Sequence, residues 1–83
     1  MGAGMTTLAA AREQFRRFTG LEPESVSGMA RVDGGWELLL DVVELRRVPD
    51  SASLLATYRV TTDESGEIAG FERVRRFNRG DAI

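Results

Sequence analysis

The stretch Trp36-Glu37-Leu38-Leu39-Leu40-Asp41-Val42-Val43-Glu44-Leu45-Arg46-Arg47-Val48-Pro49-Asp50 constrains this chain most. It is entered through Asp33-Gly34-Gly35, stopped by Pro49, and reads as a long strand with apolar residues on both faces. A strand in a small domain ordinarily buries one face only. The second face carries Leu39, Val43 and Leu45, which points to a surface made for another protein.

With 83 residues the chain is expected to form one domain, ordered over 6–79 and flexible over 1–5 and 80–83. Its hydrophobic share of 42% and charged share of 29% are those of a globular protein. There is no cysteine and no histidine, which removes disulfides, thiolate metal sites and the commonest general base. All 11 basic residues are arginine, and a net charge of −2 supplies no global attraction to nucleic acid or membrane. No run approaches the roughly 20 apolar residues of a membrane span. No basic segment precedes a short apolar one, as a secretory signal requires. Gly2 with Thr6 fits a myristoylation pattern, which reads as chance in a short Gly/Ala-rich leader. The expected location is cytoplasmic.

Leu8, Ala11, Phe15 and Phe18 recur at spacings of three and four, predicting one amphipathic helix over 6–18. Thr6 or Thr7 can cap its start, Glu13 and Arg17 form a pair one turn apart, and Gly20 sits where a left-handed cap is wanted. Four strands are expected over 26–32, 36–47, 53–62 and 67–77. Turn compositions at Asp33-Gly34-Gly35 and Asp63-Glu64-Ser65-Gly66 join the first two and the last two. The predicted fold is α+β: one N-terminal helix packed on a four-stranded antiparallel meander, α-β-β-β-β.

Pairing outward from Gly34 sets Val32 against Trp36, Ala30 against Leu38, Gly28 against Leu40 and Val26 against Val42. Pairing across the next connection sets Val42 against Tyr58, Leu40 against Val60 and Leu38 against Thr62. That face is expected to be the core, with Phe15 and Phe18 over Gly28 and Ala30. The opposite face then aligns Arg31 with Glu37, Met29 with Leu39, Asp41 with Arg59, Val43 with Thr57 and Leu45 with Leu55. It yields an apolar strip of Met29, Leu39, Val43, Leu45 and Leu55, read as a partner or dimer surface rather than as scattered exposed aliphatics. In the last strand, Phe71 and Phe77 disagree in parity with Ile68 and Val74, which calls for a bulge near Gly70.

The residues offer no catalytic centre. Glu37, Asp41 and Glu44 are the candidate carboxylates. Glu37 and Asp41 are placed beside arginines, which favour the charged form, whereas a general acid must keep its proton, so structural pairing is the reading. Asp63-Glu64-Ser65-Gly66-Glu67 opens like a calcium loop, but the sixth and twelfth positions are Ile68 and Val74, where glycine and glutamate are needed. The five serines have no histidine to activate them. No catalytic, metal or cofactor site is therefore expected. Arg73, Arg75, Arg76 and Arg79, with Phe71 and Phe77 between them, form the basic cluster. Such interleaving can stack single-stranded nucleic acid, but the sequence pI of about 5.1 favours an acidic protein partner instead. Arg79-Gly80-Asp81 spells an integrin-type tripeptide in the tail and is too short to carry an assignment.

Taken in order, Thr19-Gly20-Leu21-Glu22, Gly34-Gly35-Trp36, Glu44, Arg47-Val48-Pro49-Asp50 and Leu54-Leu55-Ala56-Thr57-Tyr58-Arg59-Val60 resemble the gas vesicle protein O family. Asp63-Glu64-Ser65-Gly66-Glu67, Gly70-Phe71 and Arg73-Val74-Arg75-Arg76-Phe77-Asn78-Arg79 continue the likeness. It covers about 15–80. Family members often carry a long charged N-terminal extension that this sequence does not show, and Phe77 stands where tyrosine is expected. The resemblance implies a non-enzymatic accessory role in gas vesicle formation, through contacts with shell or other accessory gas vesicle proteins. The residues alone also allow a cystatin-like or PepSY-type binding module, or a single-stranded RNA-binding domain.

Overall fold

The computed structural model describes residues 3–81, with side chains described from Leu8 onward. Helix α1 (Ala3–Thr19) leads into β1 (Pro23–Val32), β2 (Gly35–Leu45), β3 (Leu54–Asp63) and β4 (Ile68–Asn78). The strands form one antiparallel sheet in the order β1-β2-β3-β4, the meander expected from the sequence. Short 3-10 turns, Asp50–Ala52 and Arg79–Asp81, lie in the β2–β3 connection and after β4. No helix of the described residues is long and apolar enough to cross a membrane.

The helix begins earlier than its capping threonines imply. Nothing from Ala3 to Met5 is the proline that would stop it, so Thr6 and Thr7 lie inside it. Helix α1 includes residues 3–5, and the closing turn includes Gly80 and Asp81. Residues 1–2 and 82–83, including Gly2 of the lipidation pattern, lie outside the described residues. The other end follows expectation: Gly20 takes φ +73° and its N–H donates to Arg16 O at 2.8 Å.

Ala11 and Phe15 are fully buried against Leu38, Leu40, Val42, Ala56 and Val60, with Leu8, Leu21, Val26, Tyr58 and Ile68 around them. Phe15 meets the rings of Tyr58 and Phe71 edge-on at 5.2 and 5.6 Å. Phe18, expected in this core, is 63% exposed. The buried stripe Leu8–Ala11–Phe15 continues through Thr19, whose hydroxyl donates back to Phe15 O, and turns Phe18 outward.

The β1–β2 register departs from expectation by one residue. The turn is Asp33-Gly34 alone: Val32 faces Gly35, and Arg31 faces Trp36. Gly35 is already inside the sheet, where a Cβ would come within 1.7 Å of Thr62 O. A one-residue slip exchanges the faces of a strand. Met29 therefore sits opposite Leu38 on the helix side, whereas Ala30 and Gly28 face Glu37 and Leu39 on the outer side. Val26 stays on the helix side because a second irregularity, between Val26 and Gly28, restores its parity.

The β2–β3 register differs by two residues, which leaves the faces unchanged. Tyr58 is opposite Leu40, Val60 opposite Leu38, and Ala56 opposite Val42. The reason is a longer connection: β2 ends at Leu45, and buried Ser53 accepts from Arg47 N and donates to Asp50. A bulge between Val43 and Leu45 moves Leu45 opposite Leu54 and out of the outer strip. In β4 the bulge expected near Gly70 is present, and a second one at Val74 puts Arg73 and Arg76 on the helix side and Arg75 on the outer side.

Candidate interaction surface

Glu44 occupies the extra position of the β2 bulge and extends the alternating run Trp36-Leu38-Leu40-Val42 on the helix side. A carboxylate in that line must find partners, because burial without them is costly. Its side chain is only 10% exposed. It accepts hydrogen bonds from the Tyr58 hydroxyl at 3.1 Å and from Arg73 Nη1 at 3.2 Å, and pairs with Arg76 Nε at 3.0 Å. Burial first, and then the bond to Glu44, push the Tyr58 hydroxyl above its ordinary pKa of 10.0. The signal for this cluster was present in the alternation of β2, but its partners come from β3 and β4.

The outer face carries two polar rows. Arg59 lies 3.6 Å from Glu37 and 2.6 Å from Glu72, spanning β2, β3 and β4. In the next row Asp41 accepts from Thr57 Oγ1 at 2.6 Å and from Ser25 Oγ at 3.4 Å, while Arg75 Nε donates to Thr57 Oγ1 at 3.4 Å. These replace the expected Arg31–Glu37 and Asp41–Arg59 pairs. Arg31 instead lies 5.2 Å from the Trp36 ring centroid and 3.6 Å from Glu64. Leu39 and Val43 remain on the outer face, half-buried and separated by the Asp41–Thr57 row. Leu55 faces the same way but is only 5% exposed. Arg75 stacks 4.4 Å from the Phe77 ring centroid beside it. The predicted strip is thus reduced, since Met29 and Leu45 lie on the other side and Leu55 is covered.

At the end of the sheet, Arg79 ties Glu24 and Asp50 together. Two hydrogen bonds of 2.6 and 2.8 Å reach Glu24. Arg79 Nε lies 2.9 Å from Asp50 Oδ2 without the alignment of a hydrogen bond, so this contact is ionic. The bonded guanidinium holds the Glu24 carboxyl below its ordinary pKa of 4.5. Val43 lies in the open groove so formed, of about 360 Å³, with Glu22, Glu24, Arg46, Asp50 and Arg79 around it. Sequence reasoning missed this tie, because nothing local relates position 24 to position 79.

The family model described as gas vesicle synthesis protein GvpO matches residues 2–83. The chain belongs to this family. Gas vesicle protein O of a Streptomyces species is 50% identical over 76 residues, covering 92% of this chain and 59% of that protein. Gas vesicle protein O of Haloferax mediterranei is 32% identical over 72 residues, covering 86% and 51% respectively. Gas vesicle protein O1 of Halobacterium salinarum is 39% identical over 49 residues, covering 59% and 41%. The chain thus spans about half the length of the curated relatives it matches. No solved structure matches it. Glu44, Tyr58, Arg73 and Arg76, which helped carry the family resemblance, meet in one polar cluster.

Proposed function

We propose that the chain serves gas vesicle synthesis as a non-enzymatic accessory protein, in the cytoplasm and at the vesicle. It acts through contacts with shell or other accessory gas vesicle proteins. The observation that carries this reading is how the carboxylates are used. Glu44 holds two arginines and a tyrosine, Asp41 holds Thr57, Asp63 ties its own turn, and Glu24 clasps Arg79. Such groups build a rigid scaffold and leave surfaces, rather than reacting groups, for function. The surfaces are Leu39 and Val43 on the outer face and the arginines of β4.

The test is genetic. Deleting the gene from a gas-vesicle-forming host should abolish or sharply reduce vesicles, and the full gene should restore them. Undiminished vesicles without it overturn the reading. The double variant Glu44→Gln with Tyr58→Phe separates contact from chemistry. If it keeps the fold and captures its vesicle partners yet makes no vesicles, a chemical role replaces the contact role.

A further inference from the structure

Strand β4 is one edge of the sheet, and the helix covers only its beginning. Gln14 accepts from Ile68 N at 3.0 Å and donates to Gly66 O at 2.9 Å, doing at that point what a fifth strand would do. From Phe71 to Arg76 every residue is exposed, and no strand of the described residues pairs with this edge. The β1 ladder is twice irregular as well, and at that edge Arg12 takes the Pro23 carbonyl.

The bulge at Val74 places Arg73 opposite Tyr58 and Arg76 opposite Ala56, so both project on the helix side. Each is fastened to Glu44, and each is about half exposed, at 47% and 54%. Arg76 is held to Glu44 through Nε alone and makes no hydrogen bond among the described residues, so its Nη groups are available. Two guanidiniums fixed over one carboxylate leave a net positive charge at a preorganised anion-binding pair.

We infer that β4 accepts an extended acidic segment of a protein partner as a fifth strand, with alternate carboxylates over Arg73 and Arg76. Main-chain pairing supplies the docking, and the arginines select the sequence. A second copy does not fit. Arg73, Arg75 and Arg76 against the single acidic residue Glu72 leave each β4 strand net positive, so two such edges repel. Nucleic acid would leave the open edge N–H and C=O groups unpaired, whereas a peptide satisfies them. The inference deepens the contact-mediated reading by giving the partner's chemistry, and its test needs no vesicles, so either can fail alone.

The probe is a fluorescein-labelled peptide with three consecutive glutamates between β-branched residues, titrated into the chain and followed by anisotropy. Binding should weaken as salt rises from about 0.05 to 0.3 M, since exposed ion pairs are screened. Arg76→Glu should weaken it by about tenfold or more, through loss of one charge pair and gain of a repulsive one. Arg76→Gln, which removes the charge with less demand on folding, should weaken it severalfold, while Arg17→Glu on the helix leaves it unchanged. Backbone N-methylation of alternate peptide residues should abolish binding, and β4 amides should gain exchange protection in the complex. Equal binding of a glutamine-for-glutamate peptide overturns the charge selection, and insensitivity to N-methylation overturns the strand addition. Tighter binding of a labelled oligonucleotide at the same salt, or self-association abolished by Arg76→Glu, replaces the acidic segment with another occupant and overturns the inference.

Discussion

Arg79 clasps Glu24 through paired hydrogen bonds of 2.6 and 2.8 Å, joining the residue after β4 to a residue of β1, the opposite edge of the sheet. Arg79 N also donates to Ser53 O at 2.9 Å, so backbone and side chain fasten the closing turn together. The tie has a pH signature. Because Glu24 is held below its ordinary 4.5, the unfolded chain takes up the proton first on acidification. The stabilisation is therefore present above about pH 4.5 and is lost as pH falls through the folded value. Glu24→Gln should lower Tm at pH 7 by an amount worth about 1 kcal/mol or less, since the pair is partly exposed. The gap to wild type should close as pH falls through the folded value in thermal scans. A gap that persists in acid would show that Glu24 contributes by packing.

Tyr58 is the single tyrosine, so an absorbance titration reports it alone. Its folded pKa should lie above 10.0, and Glu44→Gln should lower it without restoring the ordinary value, because burial is the larger cause. A raised folded value means that this group's contribution to stability is complete below pH 10 and is lost as pH rises through the folded value. A titration unchanged by Glu44→Gln would deny the Glu44 contribution.

Gln14→Ala removes an acceptor from Ile68 N and a donor from Gly66 O, and should cost about 2 kcal/mol in urea unfolding. Gln14→Glu keeps the acceptor but turns a carboxylate toward the Gly66 carbonyl. Its deficit relative to wild type should shrink on acidification, when the protonated acid can donate. Unchanged midpoints in both variants would show the contacts to be incidental.

Trp36 lies on the helix side, as expected, but is half-buried under Arg31 rather than opposite Val32. Trp36→Ala should cost about 2 kcal/mol, less than the roughly 3–5 kcal/mol of a fully buried tryptophan. Arg31→Ala should cost about 0.5–1 kcal/mol through loss of the cation–ring contact. Equal losses from the two substitutions would contradict this division.

Val43 and Leu55 are cross-strand neighbours on the outer face, yet only Leu55 is covered. Val43→Asp, placed in an open groove among Arg46, Arg79 and the carboxylates Glu22, Glu24 and Asp50, where water can solvate it, should give a soluble folded chain that fails to support vesicles. Leu55→Asp should unfold the domain, since it buries an unpaired charge. Circular dichroism separates the two outcomes. An unfolded Val43→Asp would assign Val43 to the core, and a vesicle-competent one would move the interface to β4.

Local sequence pattern sets the order of elements, the helix's buried stripe through Phe15 and the helix-side parity of Leu38, Leu40 and Val42. These follow from periodicity and turn residues, which act locally. It did not determine which way β1 faces. Asp33-Gly34-Gly35 is compatible with a turn of two residues or three, and the close approach of Gly35 to Thr62 O, made by a distant strand, selects the shorter. That choice carried Met29 to the helix side. The bulges at Glu44 and Val74, which bring Glu44 to Arg73 and Arg76, the capture of the hairpin by Gln14 and the Arg79–Glu24 tie were likewise tertiary decisions. Each depends on where strands far apart in the chain come to rest, and pairing one residue further along reverses every side chain on a strand.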